Sequence, residues 1–277
     1  VRLTALPPLR EGLAAHGLSA KRALGQHFLL DLNLTAKIAR LAGPLEGSTV
    51  IEVGPGPGGL TRALIEAGAN VIAIERDTRF RPMLDELAAA ADGRLTVVEA
   101  DALAVDETAL VGGGEATVVS NLPYNISAPL LIKWLTGAFR PVSMTLMFQK
   151  EVADRITAAP ATAAYGRLSV IAQALSVPEI IMTLPARAFT PPPKVDSAVV
   201  RLQPRPERPD DSTIATVEAV TQAAFGQRRK MLRSSLKALG GERLCAAAGI
   251  DAHLRAEAVP VAGFLALAGA VLLNSAP

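Results

Sequence analysis

Residues 49–60 read TVIEVGPGPGGL, a short β-branched run that ends in four glycines and two prolines. Thr49, Val50, Ile51 and Val53 suit a buried strand, and the glycines allow a sharp turn and a close backbone approach to whatever lies above it. Gly54, Gly56 and Gly59 fit G-x-G-x-x-G, and Glu75 follows Gly54 by 21 residues. In a dinucleotide-binding fold such a loop admits the ligand and such an acid accepts from a ribose diol. No Gly-Lys-Ser/Thr follows, so the loop is not a P-loop. An NAD-binding oxidoreductase is open at this point.

Working outward, apolar strand-like runs alternate with helical patterns. Asn70–Ile74, Leu95–Val98, Ala116–Val119 and Val142–Phe148 read as further strands, with helices over Leu60–Ala67, Arg79–Ala91 and Ala128–Leu135. Continuous apolar strands separated by helices predict a parallel sheet covered on both faces, a doubly wound α/β domain. Glu179–Met182 and Ser197–Val200 are strands with no full helix between them, which places an antiparallel strand at the sheet's end. Pro204–Asp211 is charged and proline-rich and reads as a linker, and beyond it the patterns are helical only. The expected division is a Rossmann-like catalytic domain over residues 1–206 and a small all-α domain over residues 207–277.

Composition narrows the function classes. Of 277 residues half are hydrophobic, enough for a large core, and 28 Lys and Arg against 26 Asp and Glu leave a net charge of only +2. Any basic surface must therefore be local. One cysteine, Cys245, excludes an internal disulfide framework, and with His16, His27 and His253 far apart no metal site is expected. The start Val1-Arg2-Leu3, with Pro7 and Pro8 close behind, does not resemble a secretory signal, and Val259–Leu273 is too short and too interrupted to span a bilayer. A cytoplasmic protein with a buried helix there is expected.

Two more acids tilt the glycine loop away from NAD. Glu52 makes Glu-x-Gly-x-Gly with Gly54 and Gly56, and Asp101 follows the third strand. With Glu75 on a ribose and Asp101 near an adenine amino group, the set resembles the class I S-adenosylmethionine-dependent methyltransferases. After the fourth strand comes SNLPYNIS, residues 120–127. An adenine N6 amine is a poor nucleophile until its lone pair leaves the ring, and two acceptors facing its N–H groups favour that change. Asn121 offers a side-chain oxygen. Leu122, before Pro123, has an extended backbone and offers its carbonyl. Tyr124 offers a stacking face, and Phe189, stiffened by Pro191, Pro192 and Pro193, is a candidate for the base's other face. No covalent intermediate is expected.

The segments GQHFL (residues 25–29), EVGPG (52–56), NLPYNIS (121–127), FTPPPKVDSAV (189–199) and QRRKMLR (227–233) occur in this order. Together they resemble the small-subunit rRNA adenine N6,N6-dimethyltransferases, the KsgA family, over nearly the whole chain. The resemblance implies transfer of four methyl groups from S-adenosylmethionine to two adjacent adenosines in the 3′-terminal hairpin loop of 16S rRNA within the immature small subunit, and a monomer is expected. It also implies that His27, where the family usually has Asn, and Leu29 contact the cofactor alongside Gly54, Gly56, Glu75, Asp101 and Asn121. On a continuous helix Arg229, Lys230, Arg233 and Lys237 would share an arc of about 100°, opposite Met231, Leu232, Leu236 and Leu239. With Arg228 these residues are the expected RNA contacts. The macrolide-resistance methyltransferases of large-subunit rRNA share the glycine loop, and a non-catalytic assembly or transcription factor on the same fold is the alternative from another class.

Overall fold

The computed structural model describes residues 3–21 and 25–275, so Val1 and Arg2 lie outside the described residues. Among the described residues are nine strands: β1 Phe28–Leu29, β2 Thr49–Val53, β3 Asn70–Glu75, β4 Leu95–Glu99, β5 Thr117–Asn121, β6 Ser143–Gln149, β7 Ser176–Leu184, β8 Phe189–Thr190 and β9 Ser197–Pro204. Seven form one sheet in the order β4-β3-β2-β5-β6-β9-β7, with β2 to β6 parallel and β9 antiparallel to β6. The expected antiparallel strand is therefore at that end of the sheet, one place in from the edge. β1 and β8 pair separately, Leu29 opposite Phe189.

The strands form where β-branched residues can be buried from both sides: Val50, Ile51 and Val53 are almost fully covered. Helices α1 Leu9–Ala15, α2 Leu32–Leu41, α3 Gly59–Glu66, α4 Arg81–Ala90, α5 Glu107–Leu110 and α6 Ser127–Thr136 belong to the same unit. Leu64 and Ile65 of α3, Ile38 of α2 and Val71 of β3 join one apolar core. Strand order reverses between β2 and β5, the neighbours at the middle of the sheet. In an open α/β sheet the crevice outside the carboxyl ends at such a point is where ligands bind. The loops that leave β2 and β5 there are the glycine loop and Asn121–Ile126.

Contacts divide the chain into two units, Val1–Ala153 with Glu179–Gln203, and Asp154–Pro178 with Pro204–Pro277. This differs from a division at residues 206/207, because Asp154–Pro178 associates with the C-terminal helices. Helix α7, Lys150–Thr157, crosses the division, and the second unit contains α8 Arg167–Leu175, α9 Asp211–Gly226, α10 Leu232–Ser235, α11 Glu242–Ala247 and α12 Val261–Ser275. Tyr165 and Val170 pack with Val220, Leu244, Phe264 and Leu267, and the Tyr165 hydroxyl donates to the Val259 carbonyl at 2.9 Å. No sequence pattern before the linker announces that partnership. The apolar run at Val259–Leu273 is a helix of this core, as expected, and no described helix is long and apolar enough to cross a membrane.

The single helix drawn through Arg229–Leu239 is not formed. Helix α9 ends at Gly226, residues 227–231 turn, and the chain re-enters a helix at Leu232 before a 3-10 turn at Lys237–Leu239. The Leu232 and Arg233 N–H groups donate to the carbonyls of Leu254 (2.8 Å) and Ala252 (3.0 Å). Those bonds to a distant segment replace the i→i−4 bonds a continuous helix would use. Leu232 and Leu236 are buried as the apolar face required, but Met231 is 40% exposed.

Candidate active site

A cavity of about 390 Å³ opens at the carboxyl ends of β2, β3 and β5. Its floor is the glycine loop. Gly54 and Gly56 have φ of +68° and +52°, a region L residues rarely enter. A Cβ on Gly54 would come 3.1 Å from Pro123 Cγ, and one on Gly56 would lie 3.3 Å from the Phe28 ring. Glycine thus keeps the loop close to Pro123 and leaves room for a ligand against its backbone.

Glu75 ends β3 with its carboxylate fixed at both oxygens, Oε2 accepting from the Gly56 N–H (3.1 Å) and Oε1 from the Asp77 N–H (2.8 Å). Each oxygen keeps a further lone pair for a ligand hydroxyl. Burial raises its pKa despite those donors. Glu52 lies deeper, 2% exposed, with Oε2 accepting from the Thr61 hydroxyl at 2.6 Å, a bond that ties β2 to α3 beneath the loop. Burial pushes its carboxyl up to about 8, against the lowering by Thr61. Asp101 stands at the opposite side wall, with Oδ1 accepting from the Leu103 N–H and Oδ2 from Arg76 at 3.0 Å.

The second wall is the segment after β5. The Ser120 hydroxyl donates to the Val53 carbonyl at 2.6 Å and so joins the two loop-bearing strands at their ends. Asn121 donates its amide nitrogen to the His27 carbonyl at 3.3 Å, which leaves Oδ1 as the accepting end. Among the described residues neither Asn121 Oδ1 nor the Leu122 carbonyl has a hydrogen-bond donor. The Leu122 side chain is buried, so its backbone is what it brings to the wall. Tyr124 pairs its hydroxyl with Ser197 Oγ at 2.6 Å, and burial raises its pKa. The His27 ring stacks on Tyr124, centroids 5.3 Å apart and planes at 26°.

The fold thus brings His27, Leu29, Gly54, Gly56, Glu75, Asp101 and Asn121–Tyr124 to one cavity. Phe189 is a correction. It is 3% exposed, paired with Leu29 and packed into the core, so its ring does not stand over the cavity to cover a base. Sequence reasoning missed Ser197, Gln26 and Asp77. Asp77 accepts from Gln26 Nε2 (3.0 Å) and from Arg79 through Nε (2.9 Å) and Nη2 (2.6 Å), and the Arg79 bonds hold its carboxyl down at about 2. The signal for Asp77 was present as Asp-Thr-Arg beginning two residues after Glu75, a helix-capping pattern. The basic residues lie in the other unit. Arg229, Lys230, Arg233 and Lys237 are exposed, whereas Arg228 pairs with Glu257 at 3.0 Å and donates to the Ala163 carbonyl at 2.8 Å.

A sequence profile described as ribosomal RNA adenine dimethylase matches residues 17–271. The chain belongs to the ribosomal RNA adenine dimethylase family. A relative from Phenylobacterium zucineum, named ribosomal RNA small subunit methyltransferase A, is 68% identical over 98% of this chain and 94% of its own. A solved dimethyladenosine transferase from Plasmodium falciparum shares the fold, with TM-score 0.72 and 24% identity over 87% of this chain and 96% of that one. The solved 23S rRNA methyltransferase ErmE aligns with TM-score 0.66 and 27% identity over 88% of this chain and 99% of that one. The methyl donor of the dimethylase is S-adenosylmethionine, and the residues present fit it: a glycine floor without side chains, a buried carboxylate with lone pairs left to accept hydroxyls, and a second carboxylate on the same lining.

Proposed function

We propose that this dimethylase methylates N6 of two adjacent adenosines in the 3′-terminal hairpin loop of 16S rRNA, acting as a cytoplasmic monomer on the immature small subunit. The observation that carries the reading is the Asn121 amide, anchored by nitrogen on the His27 carbonyl so that its oxygen is left to accept, in the same cavity lining as the next residue, Leu122, whose carbonyl has no donor among the described residues. Two acceptors from consecutive residues in one cavity lining suit the two N–H groups of an adenine amine. They favour a pyramidal amine whose lone pair is withdrawn from the ring's π system, while the Tyr124 face carries the base by stacking. After a first transfer one N–H remains, and one acceptor still orients it. When bound, S-adenosylmethionine supplies a methyl group already activated by its sulfonium. Gly54, Gly56 and the Leu29 segment support its amino-acid end, Glu75 its ribose and Asp101 its adenine. The identity of 68% to a small-subunit methyltransferase against 27% to a 23S rRNA enzyme supports the small-subunit substrate.

The unit of Val1–Ala153 and Glu179–Gln203 supplies this chemistry, and the helical unit the RNA contacts through Arg229, Lys230, Arg233 and Lys237. Reaching N6 requires the base to leave its stack. The test is transfer of tritiated methyl from S-adenosylmethionine to immature small subunits, with N6,N6-dimethyladenosine recovered after digestion. Asn121→Ala is expected to lower kcat about 100-fold. An intact, cofactor-binding protein that transfers nothing to these particles would overturn the assignment.

A further inference from the structure

The geometry points to Ser197 as a positioning residue for the acceptor base, acting through the Tyr124 hydroxyl. The inference rests on the proposed stacking of the adenine on Tyr124. Ser197 opens β9, opposite Gln149 of β6, and is fully buried. β6 lies between β9 and β5, the strand that leads into the Asn121–Tyr124 segment. The 2.6 Å bond between the two hydroxyls therefore joins that segment to the antiparallel strand across the end of β6. Ser197 is itself held from the residue before it: the Asp196 carbonyl accepts from the Lys150 N–H at 2.8 Å, and Asp196 Oδ1 from the Ala186 N–H at 2.9 Å.

A tyrosine side chain turns about two torsions, and the backbone fixes only where it starts. A bond at its far end sets the direction of the ring axis. Rotation about that axis is then limited by the His27 ring, stacked at 5.3 Å between centroids. Among the described residues neither hydroxyl has another hydrogen-bond partner. Stability does not account for the pair. Replacing both partners of a buried hydrogen bond by apolar groups of similar shape is nearly neutral, whereas removing one leaves the other unsatisfied. An apolar pair would hold the fold as well, but it would not hold the angle of the ring against the Asn121 and Leu122 acceptors. The Tyr124 hydroxyl is thus a tether and takes no part in the chemistry.

The test is a double-mutant cycle in the full chain, with Ser197→Ala, Tyr124→Phe and both together, read as kcat on immature subunits at saturating S-adenosylmethionine. Each single variant is expected to lose about tenfold and the double variant no more than either, because the same bond is removed each time. Stability should behave differently. In urea, Ser197→Ala should unfold below the wild-type midpoint and the double variant close to it. A merely structural pair would regain its rate with its stability, and that outcome would overturn the inference. So would losses that multiply in the double variant, a wild-type rate in Ser197→Ala, or Tyr124→Phe falling far below Ser197→Ala, which would give the hydroxyl a chemical role. Affinity for S-adenosylhomocysteine by calorimetry should stay within about twofold in all three variants, and a larger loss would place the defect in the donor site and count against the inference. Independently of activity, protein labelled with carbon-13 tyrosine reports both rings, since the chain has two tyrosines. The Tyr124 Cζ resonance should move in Ser197→Ala while that of Tyr165, bonded to the Val259 carbonyl, stays in place. An unshifted Tyr124 would remove the tether and the inference with it. A wild-type protein that transfers no methyl to these particles refutes the proposed reaction; one that does, beside an unimpaired Ser197→Ala, refutes this inference alone.

Discussion

Two acids beside the cavity respond to pH in opposite senses. Glu52, at about 8 in the folded protein against an ordinary 4.5, binds its proton more tightly when folded. Its contribution is fully present below 4.5 and is lost as pH rises towards 8. Glu52→Gln should flatten the fall in stability across that window, read by urea unfolding at a series of pH values. Asp77, at about 2 against 3.8, does the reverse: it stabilises the fold above 3.8, and that stability drains away as pH falls to 2. Asp77→Asn should remove that acid limb and leave the alkaline one. Gly54→Ala would force an L residue to a φ of +68° beside Pro123, at a conformational cost of about 1–2 kcal/mol. We expect weaker S-adenosylhomocysteine binding by calorimetry, with the variant still folded. The meeting of the glycines and Glu75 at one cavity was legible in the sequence because it depends on backbone and on local spacing. Phe189 was not, since whether an aromatic ring lines a pocket or fills a core depends on what packs against it.

At the level of elements, the loop from Asp101 to Glu107 is held by the helix that follows the Asn121–Tyr124 segment. From α6, Lys133 Nζ donates to the carbonyls of Ala102 (2.8 Å) and Val105 (2.5 Å) and pairs with Glu107 Oε1 at 2.8 Å; Trp134 Nε1 donates to the same oxygen at 2.7 Å. Glu107 is 2% exposed, so removing its cation leaves a buried acid with the indole alone. Lys133→Met should cost on the order of 3 kcal/mol in unfolding experiments. It should also raise KM for S-adenosylmethionine more than it lowers kcat, because Asp101 begins the loop that is released. The strands around β2 were readable from β-branched runs that need burial whatever their neighbours. The insertion of β9 between β6 and β7 was not, since strand order is decided by pairing across the sheet.

For the whole molecule, the separation of chemistry from RNA contact is testable. Reversing Arg229 and Arg233 to Glu should weaken binding to rRNA and reduce the salt slope by about one for each phosphate that is no longer neutralised, with S-adenosylhomocysteine affinity unchanged. Arg228→Ala should instead loosen the helical unit, because Arg228 ties Glu257 to Ala163. A fragment of residues 204–277 should show no cooperative unfolding, since Tyr165 and Val170 of its core lie in the omitted segment. The sequence by itself determined the parallel sheet, the glycine loop, the acids that follow its strands and the Asn-Leu-Pro-Tyr wall. Each is a local pattern whose residue types admit few conformations. Only the tertiary structure decided that Phe189 is core, that His27 backs Tyr124, that residues 227–239 break into a turn and short helices, and that Asp154–Pro178 joins the C-terminal unit. Those outcomes are set by partners tens of residues or more away, where long-range burial and hydrogen bonding outweigh local propensity.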